Sequence, residues 1–346
     1  MKTSELQYDL PPELIAQRPL ARRDEARLLV LHRAENRIEH HGFHELPKFL
    51  GPRDCLVLNT SRVLPARFRV KRATGGRIAG LFIAEDGRGR WRVLLTGAGR
   101  VREGEALDFV GGPWRMTVLR HGDRGSCDVS IDPTDEAEAV LRQVGAMPLP
   151  PYIRRTGEDA HVDALDREFY QTVYAAEAGS VAAPTAGLHF TTELLESIRA
   201  AGVAIARTVL HVGLGTFQPI EVTDLAQHVM HRERYSLAVA DAGRITAARA
   251  AGGRAVAVGT TTVRVLETCY REGALQAEEG WTDILIYPPY SFRSVDALVT
   301  NFHLPGSTLL ALAFAFAGRD AVLAAYRLAI AERYRFYSYG DAMLIL

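Results

Sequence analysis

From residue 151 onward the chain alternates short, mostly apolar runs with stretches of helical period, and this alternation restricts the fold more than any other feature. Residues 203–210 are a β-rich run, and 255–258, 283–287 and 297–300 read as buried strands, because a short apolar run has both of its faces covered. Helices are expected over 162–176, over 191–201 with Gly202 as a stop, and over 309–317 and 321–334. Asp241 is expected to cap one more, which ends at Gly252-Gly253. Strands that alternate with helices build a mostly parallel sheet with helices on its faces. Ligands of such sheets bind beyond the carboxyl ends of the strands.

The first part of the chain is different. Residues 8–17 form an extended entry into a short helix, and 27–32 and 55–58 are apolar runs of strand length. Between Val63 and about Ala146 glycines are frequent and apolar residues alternate with polar ones. Arg67-Phe68-Arg69-Val70-Lys71, Arg90-Trp91-Arg92-Val93 and Ser126-Cys127-Asp128-Val129-Ser130-Ile131 each place opposite characters on opposite faces. Strands at that spacing predict a small antiparallel barrel. Met147-Pro148-Leu149-Pro150-Pro151 is a stiff exit from it. The expected organisation is a discontinuous α/β domain, residues 1–62 and 151–346, interrupted by a β-barrel domain at 63–150.

Bulk properties exclude several classes. No apolar run approaches the roughly 18 residues of a membrane span, and the first residues lack the apolar core of a signal peptide. Cys55, Cys127 and Cys269 lie far apart with no metal-type spacing, so no disulfide framework, zinc site or iron–sulfur site is expected. His228, His231 and Glu233 lack the H-x-x-x-H spacing and read as a polar loop. A reduced, cytoplasmic protein is expected, with no metal, no membrane partner and a monomeric state. Net charge is zero, yet residues 62–102 hold 11 basic against 2 acidic residues. Such an excess suits a polyanion, and a solvated arginine-rich β-surface is the plainer alternative.

Four segments end apolar runs with glycine, hydroxyls, histidine and an amide or arginine. They are Ala183-Pro184-Thr185-Ala186-Gly187-Leu188-His189-Phe190, His211-Val212-Gly213-Leu214-Gly215-Thr216-Phe217, Gly259-Thr260-Thr261-Thr262-Val263-Arg264 and Asn301-Phe302-His303-Leu304-Pro305-Gly306-Ser307-Thr308. A packed core has no use for so many small polar groups at strand ends, whereas a pocket for a ligand rich in ring nitrogens and ribose hydroxyls does. The third segment is neither a Walker loop nor G-x-G-x-x-G, but its amides and hydroxyls at a helix start can hold a carboxylate, phosphate or ribose. Arg264, one turn in, can grip a carboxylate bidentately. His189, His211 and His303 are candidate acid–base groups, since imidazole titrates near neutrality. Asn59 and Arg62 close the strand before the barrel and are candidates to line the cleft between domains. In Tyr287-Pro288-Pro289-Tyr290 the aromatics can stack a displaced nucleobase.

Together with Tyr8-Asp9-Leu10-Pro11-Pro12-Glu13-Leu14-Ile15-Ala16-Gln17, Gly179-Ser180-Val181-Ala182 and Tyr339-Gly340-Asp341-Ala342-Met343, the first, second and fourth segments resemble the S-adenosylmethionine:tRNA ribosyltransferase-isomerase family of queuosine biosynthesis over nearly the whole chain. One departure is Asn59-Thr60-Ser61-Arg62, where the family usually has Asn-Asp-Thr-Arg/Lys, which puts in doubt any role for that carboxylate. The resemblance implies a discontinuous α/β domain interrupted by a β-barrel. It also implies transfer and isomerisation of the ribosyl part of S-adenosylmethionine onto the aminomethyl group of 7-aminomethyl-7-deazaguanine at the tRNA wobble position. Epoxyqueuosine, adenine and methionine are the products. On this reading His189, His211 or His303 takes a proton from the ribose carbon beside the sulfonium. Thr185, Gly187, Gly213, Gly215, Thr216, Gly259, Thr260, Thr261, Thr262 and Asn301 hold S-adenosylmethionine, and Arg264 pairs with its carboxylate. Asn59, Arg62, Arg67, Arg69, Lys71, Arg90, Arg92 and Tyr287 meet the tRNA. A conventional methyltransferase lacks support because no glycine-rich dinucleotide-type loop follows the first strand. A noncatalytic RNA-binding protein would leave the four segments idle.

Overall fold

The computed structural model describes residues 1–155, 160–213 and 220–346. The chain opens with short 3-10 turns, then β1 (Arg27–His32), β2 (Arg37–Gly42), β3 (Cys55–Asn59) and β4 (Ser61–Val63). Six strands follow: β5 (Arg67–Arg72), β6 (Arg77–Gly87), β7 (Arg90–Leu95), β8 (Ala106–Phe109), β9 (Arg115–His121) and β10 (Ser126–Asp132). They close into an antiparallel barrel in the order β10-β7-β6-β5-β8-β9. The alternation read from the sequence is its cause: Phe68, Val70, Trp91 and Val93 point inward, while Arg67, Arg69, Arg90 and Arg92 face water. The barrel interior is filled around Trp91, which meets Phe68, Phe82 and Phe109 at ring separations of 5.1–6.4 Å. Helix α1 (Ala137–Val144) leads out of it.

The remainder carries α2 (Ala160–Phe169), β11 (Glu177–Ser180), α3 (Thr192–Ala200), β12 (Ala204–Leu210), β13 (Glu233–Leu237), α4 (Val239–Ala250), β14 (Ala255–Val258) and α5 (Thr260–Cys269). After it come β15 (Tyr270–Arg271), β16 (Ala274–Leu275), β17 (Glu278–Thr282), β18 (Ala297–Asn301), α6 (Thr308–Ala317), α7 (Arg319–Ala331) and β19 (Ala342–Ile345). Nine strands make one sheet in the order β17-β13-β12-β3-β14-β18-β19-β1-β2. The sheet is mixed. Its central block β12-β3-β14-β18 is parallel, as the alternation predicted, and β13, β17, β19 and β2 add antiparallel neighbours. Every residue of β3, β14 and β18 is buried, which is why these strands are apolar up to the polar residues Asn59, Thr300 and Asn301 at their carboxyl ends. Each fully buried Val or Leu there contributes about 1.5–3 kcal/mol.

Local chemistry sets the ends of two helices. The Thr191 hydroxyl accepts from Leu194 N at 3.1 Å to start α3, and Gly202, at φ +84°, ends its last turn. Ser307 caps α6 through Leu310 N. No single described helix is long and apolar enough to cross a membrane; α6 and α7 together have the length but meet at 113°.

Three expectations are corrected. Residues 283–287 are not a strand. The Thr282 hydroxyl takes the Ile284 amide and Arg264 Nε donates to the Ile284 carbonyl, each at 3.2 Å, so side chains satisfy groups that a neighbouring strand would have taken. The helix expected at 162–176 ends at Phe169, because the chain then turns so that Ala176 and Glu177 donate to Thr60 O and β11 pairs with β4. Asp241 does not cap α4. It lies inside the helix, where its carboxylate takes the Arg207 amide of β12 at 3.0 Å and the Arg244 guanidinium at 2.8 Å.

Candidate active site

A cavity of about 280 Å³ opens beyond the carboxyl ends of β14 and β18. Parallel strands carry their connecting loops to that edge, so residues remote in sequence converge there. Thr185, from the 3-10 turn after β11, lines it with Gly259, Thr260, Thr261 and Arg264 at the start of α5, and with Asn301 and His303 after β18. Gly259 turns from strand to helix at φ +87°, which only glycine adopts without strain. The Thr185 hydroxyl donates to Asn301 Oδ1 at 2.8 Å, and Asn301 Nδ2 donates to Tyr337 O at 3.1 Å. Three of the four predicted segments therefore meet in one place.

Arg264 is held from two sides. One terminal nitrogen pairs with the Glu233 carboxylate and Nε reaches Ile284 O, while Nη2 is buried with no partner. Glu233 is buried as well, lines the same cavity, and takes the Gly213 amide at 2.8 Å through its other oxygen. Thr261 Oγ1 and the hydroxyls of Tyr170 and Tyr337 are three further buried polar atoms on cavity-lining residues without a partner. Buried polar groups are nearly always satisfied, so four such atoms around one hollow mark where a polar ligand docks. Tyr337 also sits at φ 76°, a costly backbone for a bulky residue, and its ring lies 4.2 Å from that of Tyr152.

The three histidines separate. His303 lines the cavity, its Nε2 2.8 Å from the Thr300 hydroxyl, and burial pushes its pKa down to about 3. His189 is placed elsewhere. Its ring nitrogens face the carbonyls of Ala186 and Gly340 at 3.1 and 2.8 Å, and it stacks on Phe43. That ring ties the 3-10 turn to the segment before β19. His211 is half-buried against Gly179, with Nδ1 unpartnered, and only its neighbour Val212 reaches the cavity wall. Burial and nearby Arg234 lower its pKa.

Other predicted residues are drawn into packing. Asn59 is fully buried and ties Ser61 N, Leu210 N and Leu210 O together. Gly187 gives room to the Tyr174 hydroxyl, and the Thr262 hydroxyl donates to Val258 O at 2.7 Å. Gly213 supplies its amide to Glu233. Arg62 pairs with Glu138 of α1 at 2.9 Å. Tyr287 packs half-buried on the main core, so its ring is no open stacking platform. Gly215 and Thr216 fall outside the described residues. On the barrel, Arg67, Arg69, Lys71, Arg90 and Arg92 are all exposed. Arg92 is neutralised by Asp86 and Asp128, at 2.7 and 3.3 Å.

Tyr152, Tyr170 and Tyr337 line the cavity although no sequence motif marks them, and Glu233, which reads as part of a polar loop in the sequence, joins them because strand pairing puts it opposite α5. Among the described residues no group of three or more His, Cys, Asp or Glu converges as a metal site would require.

Comparison with known proteins accords with this geometry. The model of a family described as queuosine biosynthesis protein matches residues 3–345. The chain is 52% identical, over the full length of both, to an S-adenosylmethionine:tRNA ribosyltransferase-isomerase of Symbiobacterium thermophilum, and 48% identical to that of Thermotoga maritima, also over both full lengths. A crystal structure of the S-adenosylmethionine tRNA ribosyltransferase from Thermotoga maritima superposes with a TM-score of 0.57 at 39% identity, covering 99% of this chain and 100% of that one.

Proposed function

The chain belongs to the S-adenosylmethionine:tRNA ribosyltransferase-isomerase family of queuosine biosynthesis, and from that membership we propose that the cavity takes S-adenosylmethionine as co-substrate beside a wobble base displaced from the anticodon. The ribosyl group is transferred to the aminomethyl nitrogen of 7-aminomethyl-7-deazaguanine and isomerised, which leaves epoxyqueuosine in the tRNA and releases adenine and methionine. We read the enzyme as a cytoplasmic monomer with an inserted barrel domain.

The observation that carries this reading is the set of unsatisfied atoms: Arg264 Nη2, Thr261 Oγ1 and the hydroxyls of Tyr170 and Tyr337, all buried and all on one hollow. Arg264 Nη2 and the first amides of α5 receive the methionine carboxylate, since a guanidinium and a helix N-terminus both favour an anion. Glu233 keeps that guanidinium aimed. Thr185 and Asn301 are already coupled by a hydrogen bond and hold sugar hydroxyls. A sulfonium acidifies the neighbouring ribose C5′ protons, and a neutral imidazole is the form that accepts one. Thr300 fixes the His303 ring and burial keeps it neutral; the same burial weakens it as a base, so the transfer depends on the acidity that the sulfonium gives the C5′ proton. Burial likewise raises the pKa of Tyr337, so its hydroxyl stays a donor and supplies a hydrogen bond to adenine as it departs.

The test is product analysis with labelled S-adenosylmethionine and an anticodon stem-loop carrying 7-aminomethyl-7-deazaguanine. Equimolar adenine and methionine are expected. S-adenosylhomocysteine would mean a methyltransferase, and no turnover would favour a noncatalytic RNA-binding protein.

A further inference from the structure

At its β13–β17 edge the sheet has one exposed face. Along β13, Glu233, Tyr235 and Leu237 are buried while Arg234 is exposed, because neighbours on a strand point to opposite sides. The register places Arg234 directly opposite Trp281 on β17, the last strand at this edge. Both therefore share the outer face. Trp281 is 58% exposed, against 1% for Trp91 and 7% for Trp114. Water around so large an apolar ring is unfavourable, and on an edge strand it invites aggregation unless the ring has a partner. Arg232 stands over it, with its guanidinium carbon 5.9 Å from the ring centroid. Arg234 reaches Glu279 at 3.6 Å, but both side chains are largely exposed, so that pair is weak.

The position is as informative as the chemistry. Thr282, next to Trp281, pairs with Glu233, which lines the cavity. One strand spacing and one residue rise put the Trp281 backbone within about 10 Å of the cavity wall, while its ring stands on the opposite face of the sheet and is reached around the edge strand β17. We propose that Trp281, flanked by Arg232 and Arg234, is a stacking platform for an unpaired nucleotide of the anticodon loop where that loop passes around the edge strand next to the cavity. The ring takes the base face and the two arginines take adjacent phosphates, which is how sheet surfaces bind single-stranded RNA. Glu279 sits at the far end of the patch from the cavity and gives up Arg234 to a phosphate. This inference rests on the tRNA reading above, and it places the loop on the sheet edge in addition to the barrel.

Trp91 and Trp114 are buried in the barrel, so the fluorescence response to RNA comes from Trp281. Titrating the wild-type chain with the unmodified anticodon stem-loop is expected to quench it. With the stem-loop carrying 7-aminomethyl-7-deazaguanine as substrate, Trp281→Ala raises the stem-loop KM about tenfold or more, leaves the KM for S-adenosylmethionine in place, and is restored in large part by Trp281→Phe. Arg232→Gln raises the same KM by a smaller factor and lessens its salt dependence. Should wild-type fluorescence stay unchanged at saturating stem-loop, or Trp281→Ala keep a wild-type KM for it, the platform is refuted while the enzyme reading stands. Absence of any stem-loop turnover by the wild-type chain would instead overturn the enzyme reading, and this inference with it.

Discussion

The cavity at the sheet edge and the outer face of the barrel are both rich in arginine, yet they treat charge in opposite ways. In the cavity Arg264 and Glu233 are only 8% and 4% exposed as side chains, and the guanidinium still has a nitrogen to spare. On the barrel Arg92, 47% exposed, lies between two carboxylates, and Arg115 and Arg120 are similarly matched. Burial makes an unfinished set of hydrogen bonds costly, so it persists where a ligand completes it. Solvated pairs are cheap and carry little information by themselves. A basic surface therefore says that a polyanion is welcome, whereas an unfinished buried site says what chemistry it takes.

The sharpest way to break this contrast is to replace the histidines one at a time. His303→Ala is expected to slow adenine release by roughly 10²–10⁴-fold, the usual contribution of a positioned acid–base group. His211→Ala leaves the rate near normal, and His189→Ala costs stability through its lost carbonyl contacts. A normal rate for His303→Ala would move the proton transfer to another group.

Arg264→Met comes next. It strands a buried carboxylate, and such losses typically cost about 3–5 kcal/mol of stability. Pairing it with Glu233→Leu removes the stranded charge and is expected to recover most of the melting temperature, but not the binding of S-adenosylmethionine. Arg92→Met on the barrel costs only about 0.2–1 kcal/mol. Equal destabilisation by Arg264→Met and Arg92→Met would erase the distinction between the two regions.

A smaller effect is expected from pH. His303 titrates near its ordinary value when unfolded and at about 3 when folded. Between those values the unfolded chain holds a proton that the folded one does not. Stability therefore falls as pH drops through that window, by up to about 1.4 kcal/mol per unit for this group. Comparing acid unfolding of the wild type with His303→Gln isolates it, and identical slopes would mean that the ring is not buried neutral.

What could be read from sequence follows the range of the forces involved. Runs such as Ala255–Val258 and helix stops such as Gly202 are local, and both match the structure. So does the barrel, since alternation is a property of each strand. Partners contributed by distant chain were not legible. Ile284 looks like strand, but the Thr282 and Arg264 side chains take its peptide groups. His189 has the composition of a catalytic segment, but Gly340, far along the chain, claims its ring. Glu233 is an ordinary polar residue until β13 pairs with β12 and turns it toward Arg264.

The barrel offers the smallest and most graded test. Arg67 and Arg90 are exposed with no carboxylate partner among the described residues, whereas Arg92 has two. Each phosphate contact made by a cation releases a counterion and steepens the salt dependence of binding by about 0.7–0.9 in a log–log plot. Arg67→Gln and Arg90→Gln are expected to lower that slope by close to one contact each. Arg92→Gln should lower it less, since Asp86 and Asp128 already hold that guanidinium and are left uncompensated when it goes. Stem-loop affinity measured from low to physiological salt gives the three slopes directly. Three equal decrements would mean that the tRNA displaces both carboxylates from Arg92, and three unchanged slopes would take the tRNA off this face altogether.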